Sequence, residues 1–334
     1  MRLWDALTGE AGPLFLVGSC KNAGKTTVLN FLNGEFFGRL PNKRTSLLTI
    51  GRDGEPEDVV YRHPKPPVRL LPGNLFVTTK PLFDKLKSAV SFVQELGLPT
   101  ALGDLVIGAA VREANVELIG PGNNAQLETA LRQLKERHGS HLEIVDGSFD
   151  RRTQIAVAPD GRFILVVSAD LATTPERAAS WLAYQIELFD LPSLSPDDHV
   201  PGTKYGWSAR PAADLGWWWR HGTTWDRNPT DAEAAFCRGP LTATMVDNAL
   251  DDLDGKSLIL EDATKVFFEE KHWRRLKRRC PSVHVEWPLR LVAVASNPQG
   301  IFRQFEAREF FETLAEVCGN RALFDAVSGL RREP

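Results

Sequence analysis

The sequence predicts an α/β fold, in which a mainly parallel sheet has helices on both faces. Short continuous apolar runs recur along the chain, and such runs are typical of strands that are buried on both faces of a sheet. Several of these runs alternate with segments whose apolar residues follow helical spacing, such as Leu127, Leu131 and Leu134. Because parallel strands need a crossover connection, this alternation favours a parallel sheet over an antiparallel one.

The predicted strands follow one another along most of the chain. They cover residues 14–17, 45–50, 75–79, 105–111, 116–119, 141–145, 163–167, 257–260, 283–286, 291–295 and 322–327. Helices are predicted after residue 25 and over residues 123–139, 175–188, 271–279 and 307–318. An asparagine cap at Asn123 or Asn124 marks the start of the second helix, and Thr174 followed by Pro175 marks the start of the third.

The length of 334 residues suggests about two domains, or one large α/β domain with insertions. Composition divides the chain into a core (1–195), a segment rich in Trp, Gly and Pro (196–240), and a continuation of the core or small C-terminal subdomain (241–334). The middle segment holds most of the tryptophans, at positions that match neither helical nor strand periodicity, namely Trp207, Trp217, Trp218, Trp219 and Trp225. This Trp-rich segment is interpreted either as an insertion whose rings pack on the domain or as an exposed aromatic surface for a partner.

Charge and cysteine content argue against several classes of function. A net charge of −3 gives no general attraction to nucleic acid or to anionic membranes. The basic run at residues 271–279 has acidic neighbours, so it is interpreted as a solvated helix face, with nucleic-acid binding as the alternative. The four cysteines form no C-x-x-C pair, and neither a zinc site nor a disulfide framework is predicted. Because no apolar run is long enough for a membrane span and none marks a signal peptide, we expect a cytoplasmic protein.

The stretch at residues 14–30, LFLVGSCKNAGKTTVLN, predicts a phosphate-binding loop between a strand and a helix. The N–H groups at the helix start would face the phosphates, Lys25 would reach the β- and γ-oxygens, and the Thr26 hydroxyl would ligate Mg²⁺. The helix dipole adds favourable charge at the same place. The candidate nucleotide-binding residues are consecutive: Gly18, Ser19, Cys20, Lys21, Asn22, Ala23, Gly24, Lys25, Thr26 and Thr27.

The loop departs from the common spacing G-x-x-x-x-G-K-[ST]. Ser19 stands at the position of the first glycine, and Gly18 comes one residue earlier. The physical requirements are still met, since Gly18 permits a sharp exit from the strand and Gly24 lets the backbone approach a phosphate. The context of strand, loop and helix therefore favours nucleotide binding over a structural turn.

Carboxylates that follow predicted strands are candidates for a Mg²⁺ site. Asp53 follows the strand at 45–50, at the sheet edge where α/β proteins bind ligands, with a surface turn as the alternative. Asp146 ends an apolar strand in the manner of a Walker B carboxylate, which holds Mg²⁺ or its water near the γ-phosphate. Asp262 ends a later strand in the same way and competes with Asp146. The expected metal ligands are Thr26, Asp53 and Asp146, and the expected catalytic residues are Lys25, Asp53 and Asp146.

The base of the nucleotide is left open between ATP and GTP. Asn297 follows a late strand, and its amide is a candidate for reading a base edge, with a turn as the alternative. The guanine-reading motif N-K-x-D is absent, because Asn42 and Lys43 are followed by Arg44 and Thr45.

Several blocks of this sequence, SCKNAGKTTVLN, TIGRDGEPEDVV, VDGSFDRR, EDATKVFF and SNP, together resemble the ATP-binding reactivase subunit family associated with lysine 5,6-aminomutase. The resemblance implies a P-loop NTPase that restores an aminomutase whose cobalamin cofactor has been inactivated, acting with a second reactivase subunit. It implies phosphate contacts by Lys25 and Thr26. The residues that it marks as characteristic of the family are Arg52, Asp53, Asp146 and Asp150. The Trp-rich segment has no counterpart in that family.

The phosphate-binding loop is also similar to those of dethiobiotin synthetase and of the molybdopterin-guanine dinucleotide accessory GTPase. Three functions follow as hypotheses. The first is a Mg²⁺-dependent, NTP-hydrolysing reactivase or chaperone for a cobalamin-dependent aminomutase. The second is an ATP-dependent ligase or kinase of the dethiobiotin synthetase type, and the third is a regulatory or cofactor-assembly GTPase. The same likeness suggests a homodimer, because related P-loop proteins often bind their nucleotide near a dimer interface.

Overall fold

A computed structural model describes residues 4, 12–40, 42–53, 66–147, 162–194, 198–200 and 214–333, with the backbone alone at residues 52, 53 and 87. The chain forms two compact units. The first unit comprises Met1–Leu182 and Arg290–Pro334, and the second comprises Ala183–Leu289. Within the described ranges, no helix combines the length and the apolar character that a membrane span requires.

The strands and helices of the described ranges are numbered in chain order. The strands are β1 (Leu14–Gly18), β2 (Thr45–Thr49), β3 (Arg52–Asp53), β4 (Val68–Leu70), β5 (Leu75–Thr79), β6 (Val90–Thr100), β7 (Gly103–Ala110), β8 (Ala114–Val116), β9 (Leu118–Ile119), β10 (Leu142–Asp146), β11 (Arg162–Ser168), β12 (Gly216–His221), β13 (Thr224–Asp226), β14 (Ala234–Arg238), β15 (Leu241–Thr242), β16 (Ser257–Leu260), β17 (Val266–Phe267), β18 (Val283–Val285), β19 (Arg290–Asn297), β20 (Ala322–Asp325) and β21 (Arg331–Arg332). The helices are α1 (Lys25–Arg39), α2 (Lys80–Lys85), α3 (Asn124–His138), α4 (Pro175–Phe189), α5 (Ala243–Ala249), α6 (Glu270–Arg279) and α7 (Ala307–Ala315).

The first unit is built on a ten-stranded sheet with the order β21-β20-β19-β11-β1-β10-β2-β5-β7-β6. From β20 to β5 all neighbours are parallel, whereas β7, β6 and β21 add antiparallel strands at the two edges. Every residue of β1, β2, β10 and β11 is buried, so both faces of the central strands are covered. The prediction of an α/β fold with a mainly parallel sheet is therefore confirmed.

One face of this sheet packs against α1. Leu29, Leu32 and Phe36 of α1 share a buried core with alternate strand residues such as Leu16 and Ile144. The helix presents these residues at a spacing of three or four positions, and the strands present theirs at a spacing of two, so both patterns meet in one apolar layer. This packing fixes the start of α1 directly beyond the end of β1.

The ends of two predicted helices have the capping chemistry that the sequence indicates. The Asn123 side chain accepts a hydrogen bond from the Gln126 N–H at the start of α3, and Gly139 ends that helix with a φ of 63°. At the start of α4, the Thr174 hydroxyl accepts a hydrogen bond from the backbone N–H of Arg177.

The predicted single strand at residues 116–119 instead forms parts of β8 and β9, which pair with β4 and β3 outside the large sheet.

The second unit has its own five-stranded sheet, with the order β13-β12-β14-β16-β18. β14, β16 and β18 are parallel and alternate along the chain with α5 and α6, while β12 and β13 form an antiparallel hairpin beside β14. Trp273 and Leu276, the two apolar positions of α6, have no exposed surface. The unit thus buries a core of its own.

This organisation differs from the expected division at residues 195 and 240. The predicted strands at 257–260 and 283–286 join the sheet of the second unit, the first beside β14 and the second beside β16. The chain rejoins the first sheet only at β19. An apolar run indicates that a strand is buried, but it does not indicate which sheet the strand joins, because that choice depends on partners far away in the sequence.

The Trp-rich segment is not irregular where it is described. Trp217, Trp218 and Trp219 lie in β12, and the last two are buried. The rings of Trp217 and Trp219 stack with centroids 5.8 Å apart, and the Arg227 guanidinium lies 3.9 Å from the centre of the Trp218 ring. Because both faces of β12 are occupied, its apolar residues do not alternate with polar ones, and the strand period is hidden. Packing, rather than an exposed aromatic surface, accounts for these rings, and Trp207 lies outside the described residues.

The basic run on α6 is neutralised by acidic residues of the same unit. Lys277 pairs with Glu187, and Arg275 pairs with Asp247 at 2.7 Å. The remaining ion pairs of this helix join Lys271 to Glu269, Arg274 to Glu270, and Arg279 to Asp251 and Asp254. This pairing fits a solvated helix face and leaves little positive charge for a nucleic acid.

Candidate functional site

The loop that is predicted to bind phosphate, here called the phosphate-binding loop, lies between the end of β1 and the start of α1. Gly24 precedes α1 with a φ of 97°, and a Cβ atom there would lie 2.7 Å from Asn297 Nδ2. A Cβ atom on Gly18 would lie 2.9 Å from the Ala23 Cβ atom, because the loop folds back onto the end of β1. The backbone therefore requires glycine at both positions. The spacing between Gly18 and Gly24, which is one residue longer than the common one, accommodates the tight return of the loop onto β1.

The loop is held on two sides by neighbouring strands. The Ser19 N–H donates to the Val166 carbonyl at 2.8 Å, and the buried Ser19 hydroxyl accepts from the Ser168 N–H at 3.0 Å. On the other side, Asn297 Nδ2 donates to the Ala23 carbonyl at 2.9 Å. A left-handed Gly24 followed by a helical Lys25 aims successive backbone N–H groups the same way, which is the geometry of an anion-binding nest. The first N–H groups of α1 also have no acceptor within the helix.

Three predicted site residues meet directly beyond this loop. Lys25 Nζ lies 3.9 Å from Asp146 Oδ1, and the Thr26 hydroxyl donates to Asp146 Oδ2 at 3.4 Å. Asp146 ends β10, which runs parallel to β1 with Asp146 in register with Leu16. Its carbonyl accepts hydrogen bonds from the Thr49 hydroxyl and from the Ile50 N–H, both at 3.2 Å, so the end of β2 fixes its position.

The other two candidate carboxylates are those of Asp53 and Asp262. Asp53 lies in β3, paired with Leu118 of β9, and its side chain is outside the described residues. Asp262 belongs to the second unit, where its Oδ1 atom accepts hydrogen bonds from the N–H and the hydroxyl of Thr264. Burial raises the pKa of Asp262 above its usual range. The carboxylate beside Lys25 is therefore that of Asp146. Asp150, which the resemblance marks as characteristic of the family, lies outside the described residues.

Asn297 has a structural role that the sequence did not indicate. Its Nδ2 atom donates to Ala23, and its Oδ1 atom accepts from the Gln299 N–H at 3.2 Å, so both ends of the amide are engaged within the chain. Asn297 therefore positions the phosphate-binding loop. Its contact with a base edge stays a prediction, because the amide has a second N–H group and a second lone pair. Sequence reasoning missed this role because the contacted residue is 274 positions away.

Asp170 is a second positioning residue that sequence reasoning missed. Its carboxylate accepts hydrogen bonds from the consecutive N–H groups of Ile301, Phe302 and Arg303 at 2.6 to 2.8 Å. It thereby holds the segment that follows Asn297. The only sequence signal was an acidic residue shortly after a buried strand, and nothing in the sequence indicates its partners.

The remaining loop residues differ in exposure. Lys21 is exposed, whereas Thr27 and Cys20 are half-buried, and burial raises the pKa of the Cys20 thiol. Asn22 has a φ of 58°, and its Nδ2 atom is buried without a hydrogen-bond acceptor among the described residues. An unpaired donor in this loop fits a site for an anionic ligand.

The donor set next to Lys25 suits Mg²⁺. Asp146 supplies a carboxylate and Thr26 a hydroxyl, both hard oxygen ligands, on side chains that already contact each other. Mg²⁺ is usually held by one or two such protein ligands together with substrate phosphates and water. In the part of the chain that the structure describes, no group of three or more His, Cys, Asp or Glu side chains could hold a metal by itself. Thr26 and Asp146 would therefore hold Mg²⁺ together with a bound nucleotide.

Comparisons of this chain with models of protein families, with curated proteins and with solved structures give no match.

Proposed function

We propose that this protein is a Mg²⁺-dependent nucleoside triphosphatase of the P-loop class. The observation that carries the proposal is the convergence of Lys25, Thr26 and Asp146 beyond a loop with anion-binding backbone geometry. Each side chain meets a separate requirement of phosphoryl transfer. Lys25 is a cation for the phosphates, Thr26 is a hydroxyl for the metal, and Asp146 is a carboxylate for the metal or its water.

The chain's own residues supply binding and electrostatic stabilisation. The loop N–H groups and Lys25 bind the β- and γ-phosphates and neutralise charge that develops during transfer. Thr26 and Asp146 would hold Mg²⁺, which would supply positive charge to the phosphates. Asn297 and Ser168 keep the loop in its binding conformation from either side, so little reorganisation is needed when the nucleotide arrives. Asp53 remains proposed as a further metal or water ligand.

We further propose that nucleotide hydrolysis drives a conformational change in a client, a cobalamin-dependent aminomutase that acts with a second reactivase subunit. The support for this client is the resemblance of the sequence blocks around Lys25, Asp53 and Asp146. The expected signature is slow intrinsic hydrolysis that the client accelerates, because loops that hold the γ-phosphate reorder after it leaves.

The experiment is calorimetric titration of the purified protein with ATP and with GTP in the presence of Mg²⁺, followed by hydrolysis assays with a purified cobalamin-dependent aminomutase. Lys25→Ala should abolish the binding heat, whereas Lys85→Ala, an exposed lysine on α2, should leave it unchanged. Absence of binding heat with both nucleotides would overturn the triphosphatase assignment. Binding without acceleration by the aminomutase would overturn the client alone.

One outcome would support the ligase or kinase hypothesis instead. In that case a small carboxylate or amine would become phosphorylated in proportion to the ADP released. In such an enzyme the Trp-rich segment would cover the substrate, but the burial of Trp218 and Trp219 in the second unit does not favour this role.

A further inference from the structure

The segment that follows β19, residues 298–305, folds back on itself and is here called the β19 loop. The Gly300 N–H donates to the Arg303 carbonyl at 2.8 Å. Nearer the strand, the Phe305 N–H donates to the Pro298 carbonyl at 3.0 Å. These backbone hydrogen bonds close the β19 loop and give it a defined conformation without a long run of regular structure.

Side chains at both ends of the β19 loop connect it to the surroundings of the phosphate-binding loop. At its base, Asn297 donates a hydrogen bond to the phosphate-binding loop at 2.9 Å. At its tip, the Asp170 carboxylate accepts hydrogen bonds from the N–H groups of residues 301–303, and a Cβ atom on Gly300 would clash with this carboxylate. Asp170 lies two residues after Ser168, which donates to the phosphate-binding loop from β11. The β19 loop is therefore fixed beside the phosphate-binding loop.

The order of the strands indicates the direction in which a bound nucleotide extends from its phosphates. Thr26 and Asp146, the proposed Mg²⁺ ligands, meet where β10 ends, and β10 lies on one side of β1. β11 and then β19 lie on the other side of β1. Because the terminal phosphates belong with the metal at Asp146, the nucleoside extends towards β11 and β19. Neighbouring strands are about 4.8 Å apart, so β19 lies about 10 Å from β1, a distance that the α-phosphate and the ribose can span.

Phe302 presents an exposed aromatic side chain on this side of the phosphate-binding loop. It is 66% exposed, although Asp170 holds its backbone N–H at 2.8 Å and also holds the N–H groups of both neighbouring residues. A ring on a backbone that is already fixed loses little conformational freedom when a flat ligand covers it. Aromatic side chains of this kind bind nucleic-acid bases by stacking, because every base has a π-face.

We propose that the base of the bound nucleotide stacks on Phe302 and that the site therefore prefers purine nucleoside triphosphates. A purine has two fused rings, so it covers more of the phenyl face than a pyrimidine does. Stacking requires no particular pattern of donors and acceptors on the base, so ATP and GTP both benefit from it. This role rests on the proposed triphosphatase function, because it requires the phosphates to bind beside Lys25.

The test is calorimetric titration in the presence of Mg²⁺ with ATP, GTP, CTP and inorganic tripolyphosphate, which has the phosphates but no base. The wild type should bind ATP and GTP about fivefold more tightly than CTP. Phe302→Ala should weaken the binding of ATP about tenfold, as expected for the loss of one stacked base, and should leave the affinity for tripolyphosphate unchanged. Phe302→Tyr keeps the ring and should retain the affinity for ATP. Phe92→Ala removes an exposed phenylalanine of β6 and should bind every ligand as the wild type does.

The outcomes separate the stacking role of Phe302 from the proposed function. Absence of binding heat with every ligand, tripolyphosphate included, would overturn the triphosphatase assignment and the stacking role together. Binding of ATP that Phe302→Ala leaves unchanged would overturn the stacking role alone. An equal loss of affinity for ATP and for tripolyphosphate would also overturn it, because Phe302 would then act on the conformation of the phosphate-binding loop. Binding of CTP as tight as that of either purine nucleotide would overturn the preference for purines.

Discussion

The contact between Lys25 and Asp146 predicts how nucleotide binding depends on Mg²⁺. In the structure the ammonium group of Lys25 neutralises the carboxylate of Asp146, which is 3% exposed. A nucleotide that arrives without Mg²⁺ draws Lys25 towards its phosphates, so the Asp146 carboxylate loses this ion pair and lies beside a polyanion. A nucleotide that arrives with Mg²⁺ avoids this cost, because Asp146 and Thr26 then hold the metal. Asp146→Asn removes the competition while keeping an acceptor for the Thr26 hydroxyl.

The magnitude follows from the separation of the two charges. At 3.9 Å and an effective dielectric constant of about 20, Lys25 and Asp146 interact with about 4 kcal/mol. Two effects offset part of this energy. Water reaches the partly exposed Lys25 side chain, and the phosphates become new partners of its ammonium group. We therefore expect Mg²⁺ to strengthen nucleotide binding by the wild type about 100-fold, which corresponds to roughly 2.7 kcal/mol.

The assay is fluorescence titration with a labelled nucleotide in the presence of Mg²⁺ and in the presence of a chelator. For Asp146→Asn the two affinities should agree within about threefold, and the affinity without Mg²⁺ should be at least that of the wild type. Asp84→Asn, which removes an exposed carboxylate paired with Lys80 on α2, is the matched control and should behave as the wild type. An Asp146→Asn protein that keeps the full dependence on Mg²⁺ would show that another carboxylate holds the metal and would refute the reasoning.

Three further perturbations test the loop and the sheet that supports it. Gly24→Ala should lower the free energy of unfolding in urea by about 1–3 kcal/mol and abolish nucleotide binding, because its φ of 97° and the adjacent Asn297 leave no place for a methyl group. Asn297→Ala should weaken nucleotide binding about tenfold in the same fluorescence assay through loss of the bond to Ala23, whereas Gln299→Ala, which keeps its backbone N–H, should not. Burial raises the pKa of Glu143 in the folded protein, so the wild type should lose stability as pH rises from about 4.3 through that raised pKa. Urea unfolding across pH should show Glu143→Gln gaining stability relative to the wild type over that window, and a constant difference between the two proteins would contradict this.

The parts of the site that the sequence identifies are local. The sequence from Gly18 to Thr26 contains the strand exit, the glycine that precedes the helix, the lysine and the hydroxyl, so short-range chemistry defines the whole loop. Asp146 could be named for a similar reason, since it directly follows a buried apolar run. The choice between Asp146 and Asp262 could not be made, because both follow such runs and only the pairing of β10 with β1 distinguishes them.

Elements with mixed exposure escaped sequence reasoning for a different reason. β6, an eleven-residue strand at the edge of the large sheet, was not predicted. Its pairing with β7 shifts register between Phe92 and Gln94 and again between Glu95 and Pro99. The first shift inserts one extra residue in β6 and therefore exchanges the faces of the side chains that follow, and the second inserts two extra residues. The period of two that reveals a half-buried strand is thus broken.

No local sequence pattern reveals the residues that hold the phosphate-binding loop. Ser168 and Asn297 occupy the same register of the neighbouring strands β11 and β19, yet they contact residues that are 149 and 274 positions away in the sequence. The entire second unit lies between these two strands in the chain. The phosphate-binding loop is thus held by the last residue of the strand before that unit and the last residue of the strand after it. If a client shifts either strand at this register, Ser19 or Ala23 must move with it, and we expect the affinity for nucleotide to change through these two hydrogen bonds.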